Sequence, residues 1–421
     1  MKVTGIIAEY NPFHNGHLYQ ITEAKKRTNA DFILVVMSGD FMQRGTPAIV
    51  NKWERTRMAL SHGADLVLEL PAIFATASAN LFALGGISLL AKTGVVTDLC
   101  FGAETDCLSD FLSLAEFLNK EPDFFKEHLK DGLKSGISFP CARSAALSSE
   151  SITDSLPASS YDLLSAPNNI LGVEYCKILL QISSSIQPHI IKREGAAYND
   201  TGFTESNRFA SASAIRNFFL TEENICDERV FSFLPAASAQ ILRNETKNNA
   251  LLSEDCFSAL LQYKLLSEEN LGFSSYFDVN NDLSNRIRHA LCAFSGWSDF
   301  ALALKSKNIT YTRINRALTH ILLNITNEKL ALAKTIQAPY LRILGFSKNA
   351  SPLLSALKRN SSIPIITKLA DAKKSLSLTS YDILKTDIFA SDVYRTAKAG
   401  KTGKYDLNDY KQSPILVDRM E

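Results

Sequence analysis

Apolar residues in this chain gather in short unbroken runs over the first half and in helix-spaced stripes over the second. Residues 3–8 and 32–37 (Phe-Ile-Leu-Val-Val-Met) are continuous apolar runs of strand length, the pattern of strands buried on both faces. Residues 65–70 end at Pro71, which marks the close of a third strand. Residues 95–101 predict a fourth, and 189–192 a short fifth. Helical spacing separates them, from His17 to Arg27 and over 52–62, 79–92, 106–119, 123–133 and 166–183. Strand and helix in alternation predict an α/β fold, a Rossmann-like doubly wound parallel sheet whose ligands lie beyond the carboxyl ends of the strands. Past about residue 222 the strand signals fade. Leu, Ile, Ala and Phe then recur at helical spacing over 227–243, 251–266, 283–295, 311–325, 327–336, 351–358 and 364–373. The expectation is a catalytic domain over 1–222 and an α-helical C-terminal domain over 223–421.

Charge changes this picture. The whole chain carries a net +1, but residues 301–421 hold 20 Lys and Arg against 9 Asp and Glu, so the remainder is net acidic. A basic segment on a near-neutral chain points to a polyanion partner. The 421 residues are 46% hydrophobic and 21% charged, ordinary for a globular protein. No membrane span is expected, and the N-terminus runs straight into a strand with no signal-peptide pattern, which predicts a cytoplasmic protein. Seven dispersed cysteines without a C-x-x-C pair argue for reduced thiols and against a disulfide framework or zinc site.

The chemistry concentrates after the first strand, at His14-Asn15-Gly16-His17. A helix N-terminus offers unpaired N–H groups and a partial positive charge, Gly16 permits close approach, and imidazoles donate to a phosphate gathering charge. The segment is neither a Walker loop nor a dinucleotide fingerprint. After strand two, Asp40 is a candidate for a metal or small substrate and Arg44 for a carboxylate or phosphate. Gly102 follows strand four, Asn168 opens a helix, and Arg193 ends the fifth strand. Ser211, Ser213 and Arg216 at another helix start form a candidate clamp for the β and γ phosphates. Together they point to adenylyl transfer. A second carboxylate able to complete a metal site is not apparent, so no protein metal ligands are assigned.

Residues 11–17 resemble the signature of the nucleotidyltransferase superfamily that includes small adenylyltransferases and class I aminoacyl-tRNA synthetases. Residues 211–216 resemble its second phosphate motif, with Ala210 where isoleucine is usual and Ser213 where threonine is usual. Residues 9–17, 38–45, 65–71, 167–172, 340–346 and 390–394 together resemble the bacterial tRNA(Met) cytidine acetate ligase family. That resemblance implies ATP-dependent activation of acetate as acetyladenylate and transfer of the acetyl group to the wobble cytidine of elongator tRNA(Met). It implies an ATP site of Ile7, Ala8, Glu9, Tyr10, Asn11, Pro12, Phe13, His14, Asn15, Gly16, His17, Leu18, Tyr19 and Gln20 with Gly102, Asn168 and Arg193, to which the reading above adds Ser213 and Arg216. His14 and His17 are assigned to the triphosphate, with Asp40 and Arg44 as further catalytic candidates near acetate or metal. Mg²⁺ is expected on the ATP phosphates and water. For tRNA, Arg313, Arg316 and His320 fall on one helical face, and Arg286, Lys358, Arg359, Lys373 and Lys374 add positive charge. Tyr311 or Tyr340 are candidates to stack on a base. Neither DNA nor a membrane is expected as a partner. The competing readings are a small-molecule adenylyltransferase and an RNA-binding protein that senses ATP without turnover.

Overall fold

The computed structural model describes residues 1–137, 139–147, 156, 158–193, 209–221, 228–306 and 309–418. The five expected strands form β1 (Val3–Ala8), β2 (Phe32–Ser38), β3 (Leu66–Leu70), β4 (Asp98–Ala103) and β5 (Gln187–Lys192). These pair in parallel in the order β5-β4-β1-β2-β3, with Ile6 opposite Val35 and Gly102 opposite Ile191. Chain order reverses direction between β1 and β4, so the topological switch point lies at the carboxyl end of β1, where the crevice of such sheets opens. The continuous apolar character of β2 has a direct cause. Leu34 and Val36 pack into one core layer, Ile33, Val35 and Met37 into the other, and all five are fully buried. Each contributes on the order of 1.5–3 kcal/mol by leaving water.

The C-terminal part carries the expected helices but also completes the sheet. β6 (Leu341–Ser347) pairs antiparallel with β3, and β7 (Ile365–Ile366) and β8 (Ile415–Val417) flank β6. The purely helical reading of 223–421 is corrected by these three strands. The expected boundary at 222/223 lies outside the described residues.

Helix α1 (Asn15–Thr28) follows β1, and α2 (Lys52–Ser61) precedes β3. On α2, Lys52 and Arg55 are fully buried, whereas Arg57 stays exposed beside Glu54. Lys52 Nζ lies 2.8 Å from Glu69 of β3, 2.7 Å from Asp409 and 2.7 Å from Ser391 Oγ. Arg342 of β6 meets the same two carboxylates at 2.8 Å each. Two cations and two anions, all out of water, thus tie the last third of the chain to the sheet.

Removing one member leaves an unpaired buried charge. Lys52→Met is therefore expected to lower the unfolding free energy by about 3–5 kcal/mol, read as a drop in denaturant midpoint. A loss below about 1 kcal/mol, the worth of a surface pair, contradicts the anchoring role.

Candidate active site

At the carboxyl ends of β1, β4 and β5 lies an open cleft, about 1260 Å³ when its solvent-open mouth is included. Its floor is the turn from β1 into α1, which contains Tyr10 at φ 48° and a cis Asn11-Pro12 peptide. His14 is the N-cap of α1. Its Nδ1 accepts from Gly16 N–H at 3.0 Å, and His17 Nδ1 accepts from His14 N–H at 3.3 Å, a reciprocal capping box. The rings stack with centroids 3.8 Å apart. Because each Nδ1 is an acceptor, the neutral ring carries its proton on Nε2. Burial, with Arg193 and Arg216 close by, pushes the His14 pKa down to about 3. Burial and the neighbouring His14 hold His17 well below the usual range. Both imidazoles are therefore uncharged N–H donors lining the cleft.

A second helix N-terminus faces the same space. Ser211 caps the Ala212–Leu220 helix by accepting from Ala214 N–H at 3.0 Å, and Ser213 and Arg216 line the cleft beside it. Arg216 donates to the Asn11 carbonyl at 2.6 Å and to Ser213 Oγ at 3.1 Å, which joins the two phosphate motifs. Asn11 Oδ1 in turn accepts from Ile49 N–H at 2.8 Å. Two helix starts and the Arg44, Arg193 and Arg216 side chains make a strongly anion-attracting cavity.

The β4 side is held by a network of side-chain hydrogen bonds. Glu104 accepts from Asn168 Nδ2 at 2.6 Å and Asn169 N–H at 3.1 Å, while Asn169 Oδ1 accepts from the Glu104 and Thr105 N–H groups. This lock fixes the side chain of Asn168, a residue of the cleft lining, through its amide nitrogen. A Cβ built on Gly102 meets only ordinary contacts, Arg193 Cγ at 3.6 Å being nearest, so protein packing does not require this glycine.

Of the expected ATP residues, Ile7, Ala8, Glu9, Tyr10, Asn11, His14, His17, Gln20, Gly102, Asn168, Arg193, Ser213 and Arg216 line the cleft, and Gly16 and Tyr19 line an adjoining recess. Pro12 lies in the turn beneath. Phe13 is wholly buried against Tyr10 and stacked on His62; Asn15 donates to the Ser232 carbonyl, and Leu18 lies on the outer side of α1. Arg44 joins the cleft, but Asp40 does not. Its oxygens accept from Lys52 N–H at 2.7 Å and Ser391 Oγ–H at 2.9 Å, which corrects its candidacy for acetate or metal to the start of α2. Sequence reasoning missed Gln43 and the apolar wall of Phe101, Leu171 and Tyr175. Asn168, Leu171 and Tyr175, spaced three and four apart on one helix, were the available signal.

The expected RNA face is also corrected. His320 is fully buried, contacts Phe277 and Thr76 oxygens, and has its pKa pushed down to about 4 by burial. Arg316 is paired with Asp278 at 2.9 Å, and Arg286 donates to the Leu304 carbonyl. Arg313 remains partly exposed, while Lys358, Arg359, Lys373 and Lys374 are exposed. Tyr340 is buried and donates to Asp387, which excludes it from base stacking; Tyr311 stays partly buried.

Paired imidazoles at a helix start, placed at the switch point of a parallel sheet, define a nucleotidyl transferase. A family model described as HIGH Nucleotidyl Transferase matches residues 1–409. The tRNA(Met) cytidine acetate ligase of Clostridium novyi is 41% identical over 99% of this chain and 100% of its own length, and that of Clostridium kluyveri 39% identical over 100% of both. The crystal structure of apo Thermotoga maritima TmcAL superimposes with a TM-score of 0.92 at 33% identity over 99% of this chain and 100% of that one. The form bound with alpha-thio ATP gives 0.90 at 32% over the same shares. The chain belongs to the tRNA(Met) cytidine acetate ligase family.

Gly102→Ala is expected to leave thermal stability unchanged and weaken ATP binding about tenfold or more, roughly 1.4 kcal/mol, in a calorimetric titration; unchanged affinity would remove Gly102 from the nucleotide site. A second expectation follows from the imidazoles. Their folded pKa lies below the unfolded value of about 6.5, so the unfolded chain takes up protons first. This contribution to stability is full above about pH 6.5 and is lost as pH falls toward the folded value. His14→Asn keeps a side-chain acceptor at the N-cap and should show a smaller loss of Tm between about pH 7 and pH 4 than the parent. An equal loss contradicts the neutral state assigned to His14.

Proposed function

We propose that the protein is a tRNA(Met) cytidine acetate ligase. Acetate attacks the α-phosphorus of ATP, pyrophosphate leaves, and the resulting acetyladenylate passes its acetyl group to N4 of the wobble cytidine of elongator tRNA(Met), giving N4-acetylcytidine and AMP. The observation that carries this reading is the pair of neutral, backbone-locked imidazoles facing a second capped helix across one arginine-rich cleft. In-line displacement at phosphorus needs positioning and charge neutralisation more than covalent catalysis. His14 and His17 donate Nε2–H to the triphosphate, Ser213, Arg216 and Arg193 take charge developing on the departing pyrophosphate, and Gly102 and Asn168 seat the nucleoside. The mixed anhydride explains how the weakly nucleophilic N4 amine, its lone pair delocalised into the ring, is acylated at all.

Among the described residues no three His, Cys, Asp or Glu side chains group as a metal site. Mg²⁺ is proposed as the counter-ion of ATP, held by phosphate oxygens and water. Residues 1–222 supply the nucleotide chemistry, and 223–421 bind tRNA while also completing the sheet. The RNA backbone meets Arg313, Lys358, Arg359, Lys373 and Lys374, whose counter-ion release makes binding salt-sensitive. No helix among the described residues is long and apolar enough to cross a membrane. A tRNA substrate fits action in the cytoplasm.

Incubation with ATP, labelled acetate and elongator tRNA(Met), followed by nucleoside mass spectrometry, should yield labelled N4-acetylcytidine. His14→Ala should lower the rate about 100-fold or more, the scale of one lost transition-state donor. Unmodified tRNA with the parent protein, or full activity in the variant, overturns the proposal.

A further inference from the structure

Acyl transfer to cytidine N4 requires that the nitrogen lose a proton, and the phosphate-binding groups of the cleft are all donors. Among the described residues lining the cleft, Glu9 is the one carboxylate. Two other carboxylates at strand ends are engaged elsewhere: Glu104 by Asn168 and Asn169, Asp40 by Lys52 N–H and Ser391. Glu9 is held from two directions. Its carbonyl accepts from Arg55 Nη1 at 2.7 Å, and the same buried guanidinium binds the Ser38 carbonyl at 3.0 Å, fixing the ends of β1 and β2 together. Its Oε1 accepts from Gln43 N–H at 2.7 Å. Oε2 has no hydrogen-bond partner among the described residues, so one oxygen is anchored and the other remains to accept.

Position adds a second argument. β1 is flanked by β4 on one side and β2 on the other, which gives the cleft two wings. Gly102, Asn168 and Arg193 occupy the β4 wing, whereas Glu9, Gln43 and Arg44 occupy the β2 wing. The β2 wing runs directly into the C-terminal part. Gly45 sits at φ 72° so close to the Tyr311–Leu322 helix that a Cβ would lie 2.2 Å from Arg316 N, and its carbonyl accepts from Thr319 Oγ1 at 2.8 Å. An RNA bound beside that helix would bring its cytidine in from the side where Glu9 stands. A carboxylate is also the natural partner of the cytosine N4 amino group, which offers only N–H.

We infer that Glu9 recognises the N4 amino group of the incoming cytidine and takes its proton during acetyl transfer, an assignment that rests on the acetate ligase reading above. The N4 lone pair forms the bond to the acetyl carbonyl carbon. The bond from that carbon to the phosphate oxygen breaks, and AMP leaves with its electron pair. The N4 proton passes to Glu9 Oε2 and then to solvent.

Glu9→Gln isolates the claim, because the amide keeps an Oε1 that accepts from Gln43 N–H and loses only the basic oxygen. Two assays read the halves of the reaction separately: acetate-dependent ATP–pyrophosphate exchange, and single-turnover transfer from isolated acetyladenylate to tRNA(Met). Transfer should fall about 10²–10⁴-fold, the range for a lost proton acceptor, and at least about tenfold more than exchange does, with an unchanged Tm reporting a folded site. Transfer within about tenfold of the parent overturns the assignment. Exchange and transfer falling together also overturns it, since Glu9 then serves nucleotide or metal binding. A parent protein without acetate-dependent exchange contradicts the ligase reading itself, whatever the variant does.

Discussion

Two backbone N–H groups at the start of α1 decide the state of the site. They occupy Nδ1 of both imidazoles, so the rings are fixed in one tautomer and their remaining protons are presented to the cleft. The same hydrogen bonds satisfy donors that a helix N-terminus otherwise leaves orphaned. Local stability and chemistry therefore share one set of atoms. Burial beside Arg193 and Arg216 keeps His14 uncharged, which lets two imidazole rings and three arginines share a cavity before an anion arrives. A triphosphate then meets donors already oriented, with little reorganisation left for the reaction to supply.

The rest of the molecule holds this turn still. Arg55 gathers the carbonyls of Glu9, Ser38 and Gly39, the Glu104–Asn169 lock fixes β4 against the neighbouring helix, and Arg216 fastens the second phosphate motif to the first. The buried cluster of Lys52, Glu69, Arg342 and Asp409 extends that order to the C-terminus. Such a cluster gives weak net stability compared with an apolar substitute but penalises every arrangement that separates its members. The part of the chain expected to receive RNA is thereby set in a defined relation to the catalytic cleft.

Legibility from sequence followed the range of the interactions. β1 to β4 were readable because parallel strands buried on both faces leave mainly apolar runs, whereas β5, a partly buried edge strand, showed only the short apolar stretch at Ile190 and Ile191. The histidine turn was readable because its hydrogen bonds span only two or three residues. β6 was missed because Arg342 and Gly345 interrupt its pattern, and Arg342 is buried only through partners 273 residues earlier and 67 later. His320 shows the opposite error: its spacing with Arg313 and Arg316 suggested a basic face, but Phe277 and Thr76 cover it. Asp40 stands at the predicted strand end, yet the distant Ser391 draws its carboxylate out of the cleft. Position along a strand was legible; the direction of a side chain set by remote contacts was not.

Acetate is proposed to become reactive by direct attack on the α-phosphorus, and an isotope can follow it. With acetate labelled in both oxygens by ¹⁸O, and ATP and elongator tRNA(Met) unlabelled, each turnover should leave one ¹⁸O in the AMP phosphate and none in pyrophosphate, as read by mass spectrometry. Label absent from AMP, or present in pyrophosphate or inorganic phosphate, would contradict the account.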